Sequence, residues 1–226
     1  MTKWTGRLRQ LGKGESDDSS DSSHTDTQDD ASHEGSAYLE RVREKLHTLV
    51  KDYARGWVNQ SQFEELYTHY QKERDAIARL ITSQPSSDAW RLAVTEGHSV
   101  NIRRRLAARV LGYAVFTNRE QKPLRLFGEF TSLDERWIGP LLARVREQVR
   151  QTFVTSSFET KTRDAASLCA VLGQFTTLFV LFTTDPARVQ IQLLEDLHSH
   201  FEQANGRLLS KEKWDGLVFP YAAAFE

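Results

Sequence analysis

At 226 residues and 25.9 kDa the chain has room for one large domain or two small ones, with a core of ordinary size in either case. The 30 Lys and Arg against 31 Asp and Glu leave a formal net charge of -1, so the whole molecule carries no electrostatic attraction for nucleic acid or anionic lipid. A single cysteine, Cys169, excludes an intrachain disulfide framework or a multi-thiolate zinc site, and a reducing, cytoplasmic setting is the expectation.

Hydrophobic residues are 39% of the sequence, low enough to predict that part of it stays unfolded. Met1 to Gly14 carries Lys3, Arg7, Arg9 and Lys13 with no acid, and it lacks the apolar stretch of a secretory signal. Glu15 to Glu34 carries acids and no Lys or Arg. Gly14 to Gly35 has too few apolar side chains to offset the entropy of ordering, so residues 1–35 are predicted to be a disordered acidic arm, a spacer or a contact for a basic partner. His24 and His33 are too sparse to ligate a metal.

Residues 36–84 read as a helical hairpin. Leu39, Val42, Leu46, Leu49 and Tyr53 line one helix, and Phe63, Leu66, Tyr70, Ile77 and Leu80 line the next. Gly56 suits the end of the first helix, and Asn59 with Gln62 makes a capping-box pattern for the second. The polar run Gln84 to Asp88 marks a boundary, after which residues 85–206 read as an α/β domain. A helix is expected from His98 to Leu111, with Val100, Ile102, Leu106 and Val110 as its apolar positions and Arg103, Arg104, Arg105 and Arg109 as its charges. Strands follow at Gly112 to Asn118 and, by period-2 alternation, at Leu124 to Phe130.

Ser132 to Glu135 matches a capping box that opens a long helix with Ile138, Leu141, Leu142, Val145, Val149 and Phe153 on one side, either starting or kinked at Pro140. Three further strands are expected at Ser157 to Arg163, Ser167 to Leu172 and Thr177 to Thr184, the last two joined by a turn at Gly173 and Gln174. The run Leu178 to Phe182 has no polar alternation, which predicts a central strand covered on both faces. It also falls within the longest apolar stretch, Leu168 to Phe182, too short and too interrupted for a membrane span. Asp185 and Pro186 read as the cap and first residue of a last helix with Val189, Leu193, Leu194, Leu197 and Phe201 inward, closed by Asn205 and Gly206. The tail, residues 207–226, is aromatic enough to dock, with the space between hairpin and domain as its expected seat.

From His98 to Asn205 the order is helix, two strands, helix, three strands, helix. This order, together with the run Leu172 to Phe182 followed by Asp185 and Pro186 and the early strand Gly112 to Val115, resembles the roadblock family of dynein light chains and bacterial GTPase regulators. The resemblance covers about half of the chain and departs from the family pattern at the Asn118 to Pro123 turn and at Gly139 and Pro140. It implies an α+β fold with a profilin-like, five-stranded antiparallel sheet and flanking helices. It further implies a homodimer joined across the long helix and the neighbouring strand, here through Leu142, Val145, Val149, Phe153, Phe158 and Thr160. The function so implied is a non-catalytic scaffold or regulator of a small Ras-like GTPase or another signalling protein, with a profilin-like ligand-sensing module as the alternative.

The residues themselves name no chemistry. No G-x-x-x-x-G-K-[ST], G-x-G-x-x-G or H-E-x-x-H occurs, and no cofactor or metal is expected. His198 and His200 project about 200° apart on a helix and read as surface histidines, and Cys169 reads as a buried inert thiol. The triple Arg103, Arg104 and Arg105 is open to three readings: a solvated face, a contact with a partner or with the chain itself, and, least, nucleic acid, which would want a longer basic stripe with stacking aromatics.

Overall fold

The alternation of side chains along each strand and the 3.6-residue period of each helix decide where the apolar positions gather. The computed structural model describes residues 23–85, 87–95, 97–132, 139–144, 147, 157–161 and 166–225. Helices α1 (Ser23–Ala54) and α2 (Gln60–Ser83) come first, followed by a short 3₁₀ turn (Asp88–Ala93) and helix α3 (His98–Arg105). Val42 and Leu49 of α1 meet Leu66 and Tyr70 of α2, and Ile102 of α3 closes the same cluster. At the start of α2 the Asn59 side chain accepts from the Gln62 N–H at 2.7 Å while the Gln62 side chain accepts from the Asn59 N–H at 3.2 Å, the reciprocal cap predicted from the sequence.

Strands β1 (Val110–Thr117), β2 (Pro123–Gly128), β4 (Ser167–Leu172) and β5 (Thr176–Phe182) form an antiparallel sheet in the order β2-β1-β5-β4, and β3 (Ser157–Lys161) pairs antiparallel along the outer side of β4. The central position of β5 explains its unbroken apolar run. Leu178, Val180 and Phe182 face one cluster with Tyr113, Val115, Cys169 and Val171, whereas Phe179 faces another with Ala114, Phe116 and Ala170. Helix α5 (Arg188–Leu209) covers the first face through Leu194, Phe201 and Leu209. The second face is met by Phe130 and by Leu142 from a helical segment, α4, at residues 139–144. Burial of each such side chain contributes roughly 1.5–3 kcal/mol.

Several expectations shift. Helix α1 begins at Ser23, so residues 23–35 are helical where a disordered arm was expected; Gly35 is buried against Ile81 and Trp90, a tertiary anchor that composition cannot reveal. The rest of that arm lies outside the described residues. Helix α3 stops at Arg105 rather than Leu111, because the chain is captured by the sheet: the Thr183 N–H donates to the Arg109 carbonyl at 2.9 Å, and the Arg109 N–H donates to the Thr183 hydroxyl at 3.1 Å. Val100 is left 65% exposed on this short helix.

Asp185 does not cap α5, which starts only at Arg188; it is drawn instead to the start of α2, accepting from the Ser61 hydroxyl at 2.5 Å and the Ser61 N–H at 3.3 Å. Helix α5 runs through Asn205 and Gly206 to Leu209, because the buried Asn205 side chain clamps the tail, accepting from the Val218 N–H and donating to the Val218 carbonyl, rather than ending the helix. Leu193, expected inward, is 50% exposed. The tail ends in a short helix, α6 (Tyr221–Phe225), and docks with Phe219 stacked on Phe201 and Tyr221 fully buried. Its seat is the sheet face under α5, not the space beside α1 and α2.

Candidate functional site

The residues expected at a pairing surface separate into three groups. Leu142 is fully buried in the chain's own core against Phe116 and Phe179, so as a dimer contact it is withdrawn. Val145, Val149 and Phe153 lie outside the described residues. Phe158 and Thr160 lie on β3, in register with Ala170 and Leu168 of β4. Among the described residues no strand pairs with the other side of β3, so its outward N–H and C=O groups form a sheet margin.

The arginine triplet ends α3, where positive charge suits the carboxyl end of a helix. Two of its members are engaged within the chain: Arg103 lies 3.6 Å from Asp52 of α1, and Arg105 pairs with Glu65 of α2. The Arg105–Glu65 pair faces solvent and Arg103 reaches a half-buried Asp52 from the surface, so each contributes at most about 1 kcal/mol. Arg104 is exposed and has no partner among the described residues. The contact is therefore with the chain itself for two of the three side chains.

A polar network that the sequence reading missed ties α5 to the β4–β5 turn. The Glu202 carboxylate accepts from the N–H groups of Gln174, Phe175 and Thr176 at 2.7, 2.9 and 2.8 Å, and from the Thr176 hydroxyl at 2.7 Å. One turn back along α5, His198 is 1% exposed rather than on the surface. Its Nδ1 lies 2.7 Å from the Tyr221 hydroxyl and its Nε2 3.2 Å from the Thr176 carbonyl. Burial lowers the His198 pKa, against the upward pull of the Thr176 carbonyl and Glu202, and burial with the Glu202 charge raises that of Tyr221. The signal was present: Leu194, His198, Phe201, Asn205 and Leu209 form one stripe, so His198 and Asn205 occupy inward positions of the helix. The pair is closed to solvent, so it latches the tail and offers no reactive group. His200, in contrast, is exposed as expected, and Cys169 is buried.

A second polar junction joins α2 to the end of β5. Asn59, 3% exposed, donates to the carbonyls of Leu106 and Asp185 at 2.9 and 2.8 Å, and the Val189 N–H reaches the Gly56 carbonyl at 3.2 Å. Burial pushes the Asp185 carboxyl up, but hydrogen bonds from Ser61 and Thr184 outweigh it and hold the group below its ordinary range. An open cleft of about 500 Å³ lies alongside, bounded by Tyr53, Val58, Gln60, Pro186, Arg188 and Ile191.

Fold and surface together define an α+β chain whose antiparallel sheet is flanked by helices. Among the described residues no group of His, Cys, Asp or Glu is arranged to hold a metal, and no helix is long and apolar enough to cross a membrane. No family model, curated protein or solved structure matches the chain.

Proposed function

We propose that the chain is a non-catalytic interaction module that pairs with a second copy across the β3 margin and the neighbouring α4 region, and that the paired platform engages a small Ras-like GTPase or another signalling protein. The observation that carries this reading is the position of β3: it is bonded to β4 on one side and to no described strand on the other. An unpaired edge of that kind is stabilised when a second strand or chain satisfies its backbone groups. The element order α3, β1, β2, α4, β3, β4, β5, α5 supports the reading, since it is the order on which the roadblock resemblance rests.

Light scattering after gel filtration provides the test. The wild-type chain is expected to run at twice its 25.9 kDa, and Val145→Glu or Val149→Glu to run as a folded monomer. A monomeric wild type at micromolar concentration, or variants of unchanged mass, would remove this surface from consideration. For the partner, a Ras-like GTPase should be retained by the wild type and lost with either variant.

A further inference from the structure

We infer that the cleft between α1, α2 and the start of α3 binds a small molecule through a phosphate group. The cleft encloses about 350 Å³ and is lined by Tyr38, Arg41 and Lys45 of α1, His69 of α2, and Gly97 and Ser99 where α3 begins. That volume falls within the range of roughly 300–1,000 Å³ typical of small-ligand sites. This inference is independent of the pairing proposed above.

The charge comes from α1. The Arg41 guanidinium sits 4.9 Å from the centre of the Tyr38 ring, and the Lys45 ammonium lies 5.7 Å from the same ring and 5.8 Å from that of Tyr70. Ring faces fix the two cations without using their N–H donors. Among the described residues neither has a carboxylate within ion-pairing distance. The acid in the lining, Glu73, is turned to other partners: it is 5% exposed, accepts from the Tyr38 hydroxyl at 3.0 Å, and lies 3.9 Å from His69.

Further donors converge from the other two elements. His69 of α2 lines the cleft, and the His98 ring lies 4.7 Å from it, beside that lining. Gly97 precedes α3 with no side-chain hydrogen bond capping the helix and with open space where a Cβ would lie, so among the described residues no side chain caps its first N–H groups. Donors arriving from three helices suit a tetrahedral phosphate, which presents acceptor oxygens in several directions, better than a planar carboxylate. The part-exposed Tyr38 ring also lines the cleft and offers apolar surface for the organic part of the ligand.

The test uses the full chain near neutral pH. Imidazole NMR signals of His69 and His98 are followed while inorganic phosphate or phenyl phosphate is added, with chloride at matched ionic strength as the control. Saturable shifts are expected, tighter for phenyl phosphate, with Arg41→Gln and Lys45→Gln each weakening binding about tenfold. Both side chains are exposed, and circular dichroism verifies that the variants remain folded. A second readout separates binding from the general stabilisation that phosphate gives a folded chain: phosphate should raise the unfolding temperature of the wild type more than that of Lys45→Gln. Shifts that track ionic strength alone, variants of unchanged affinity, or a thermal gain no larger in the wild type than in Lys45→Gln would overturn the inference.

Discussion

Replacing Glu202 with alanine should detach the β4–β5 turn from α5, and the cost can be worked from four hydrogen bonds. Three of its donors, the N–H groups of Phe175 and Thr176 and the Thr176 hydroxyl, are partly buried. At about 1 kcal/mol net each they sum to about 3 kcal/mol. The fourth donor, the Gln174 N–H, is exposed and recovers water. For a chain of this size that loss lowers the unfolding midpoint by about 6–12 °C, readable by circular dichroism in urea or on heating. Glu202→Gln, which keeps one acceptor oxygen but turns an amide toward the remaining donors, should cost about half as much. A side chain at Gly173 would collide with the same carboxylate, so Gly173→Ala should be destabilising alone and less than additive with Glu202→Ala. A Glu202→Ala variant within about 0.5 kcal/mol of wild type would refute the reasoning, because such a value is what a surface glutamate without partners gives.

Two further outcomes follow from the same geometry. His198 titrates below its ordinary value of 6.5 in the folded chain, so between the folded and unfolded values the unfolded chain binds more protons. Stability from this group is therefore complete above pH 6.5 and is lost as the pH falls through the folded value; urea midpoints should drop on acidification, and His198→Gln should flatten the slope. His69 has the same sign and leaves a residual slope, but equal slopes in variant and wild type would discount the latch. At Gly56, φ is 77° and an added Cβ would sit 2.5 Å from that of Arg188, so Gly56→Ala should cost about 2–3 kcal/mol. Gly97→Ala, at φ 75° but in open space, should cost only about 1 kcal/mol, and equal costs would deny the contact between the α1–α2 turn and α5.

What could be read from the sequence divides by the distance over which the deciding interaction acts. The Asn59 and Gln62 cap, the turn at Gly173 and the interior strand Leu178 to Phe182 were all legible, because each is written within a few residues. The end of α3 was not. Ala107 to Arg109 fits a helix locally, and only Thr183, far along the chain, shows that the backbone groups of Arg109 are claimed by the sheet. The helical state of the chain around Gly35 was hidden in the same way, since the seat of that residue is made by Ile81 and Trp90.

Polar side chains were misread most often, and for one reason. A charged or amide residue in sequence signals solvent, and a cap signals the nearest helix, yet Asp185 serves α2 across more than half the chain and Asn59 answers carbonyls at Leu106 and Asp185. These groups are drawn inward, Asn59 fully and Asp185 in part, because the loops they hold would otherwise leave backbone donors and acceptors without partners, a penalty of about 1–3 kcal/mol each. The arginine triplet illustrates the converse: it was conspicuous, and two of its members go to Asp52 and Glu65 in ordinary surface pairs. Arg41 and Lys45, inconspicuous on the solvated face of α1, are the cations that converge with His69 and the start of α3 on a cleft. Charge density along the chain does not mark these two side chains; helix packing is what brings them together with His69 and the start of α3.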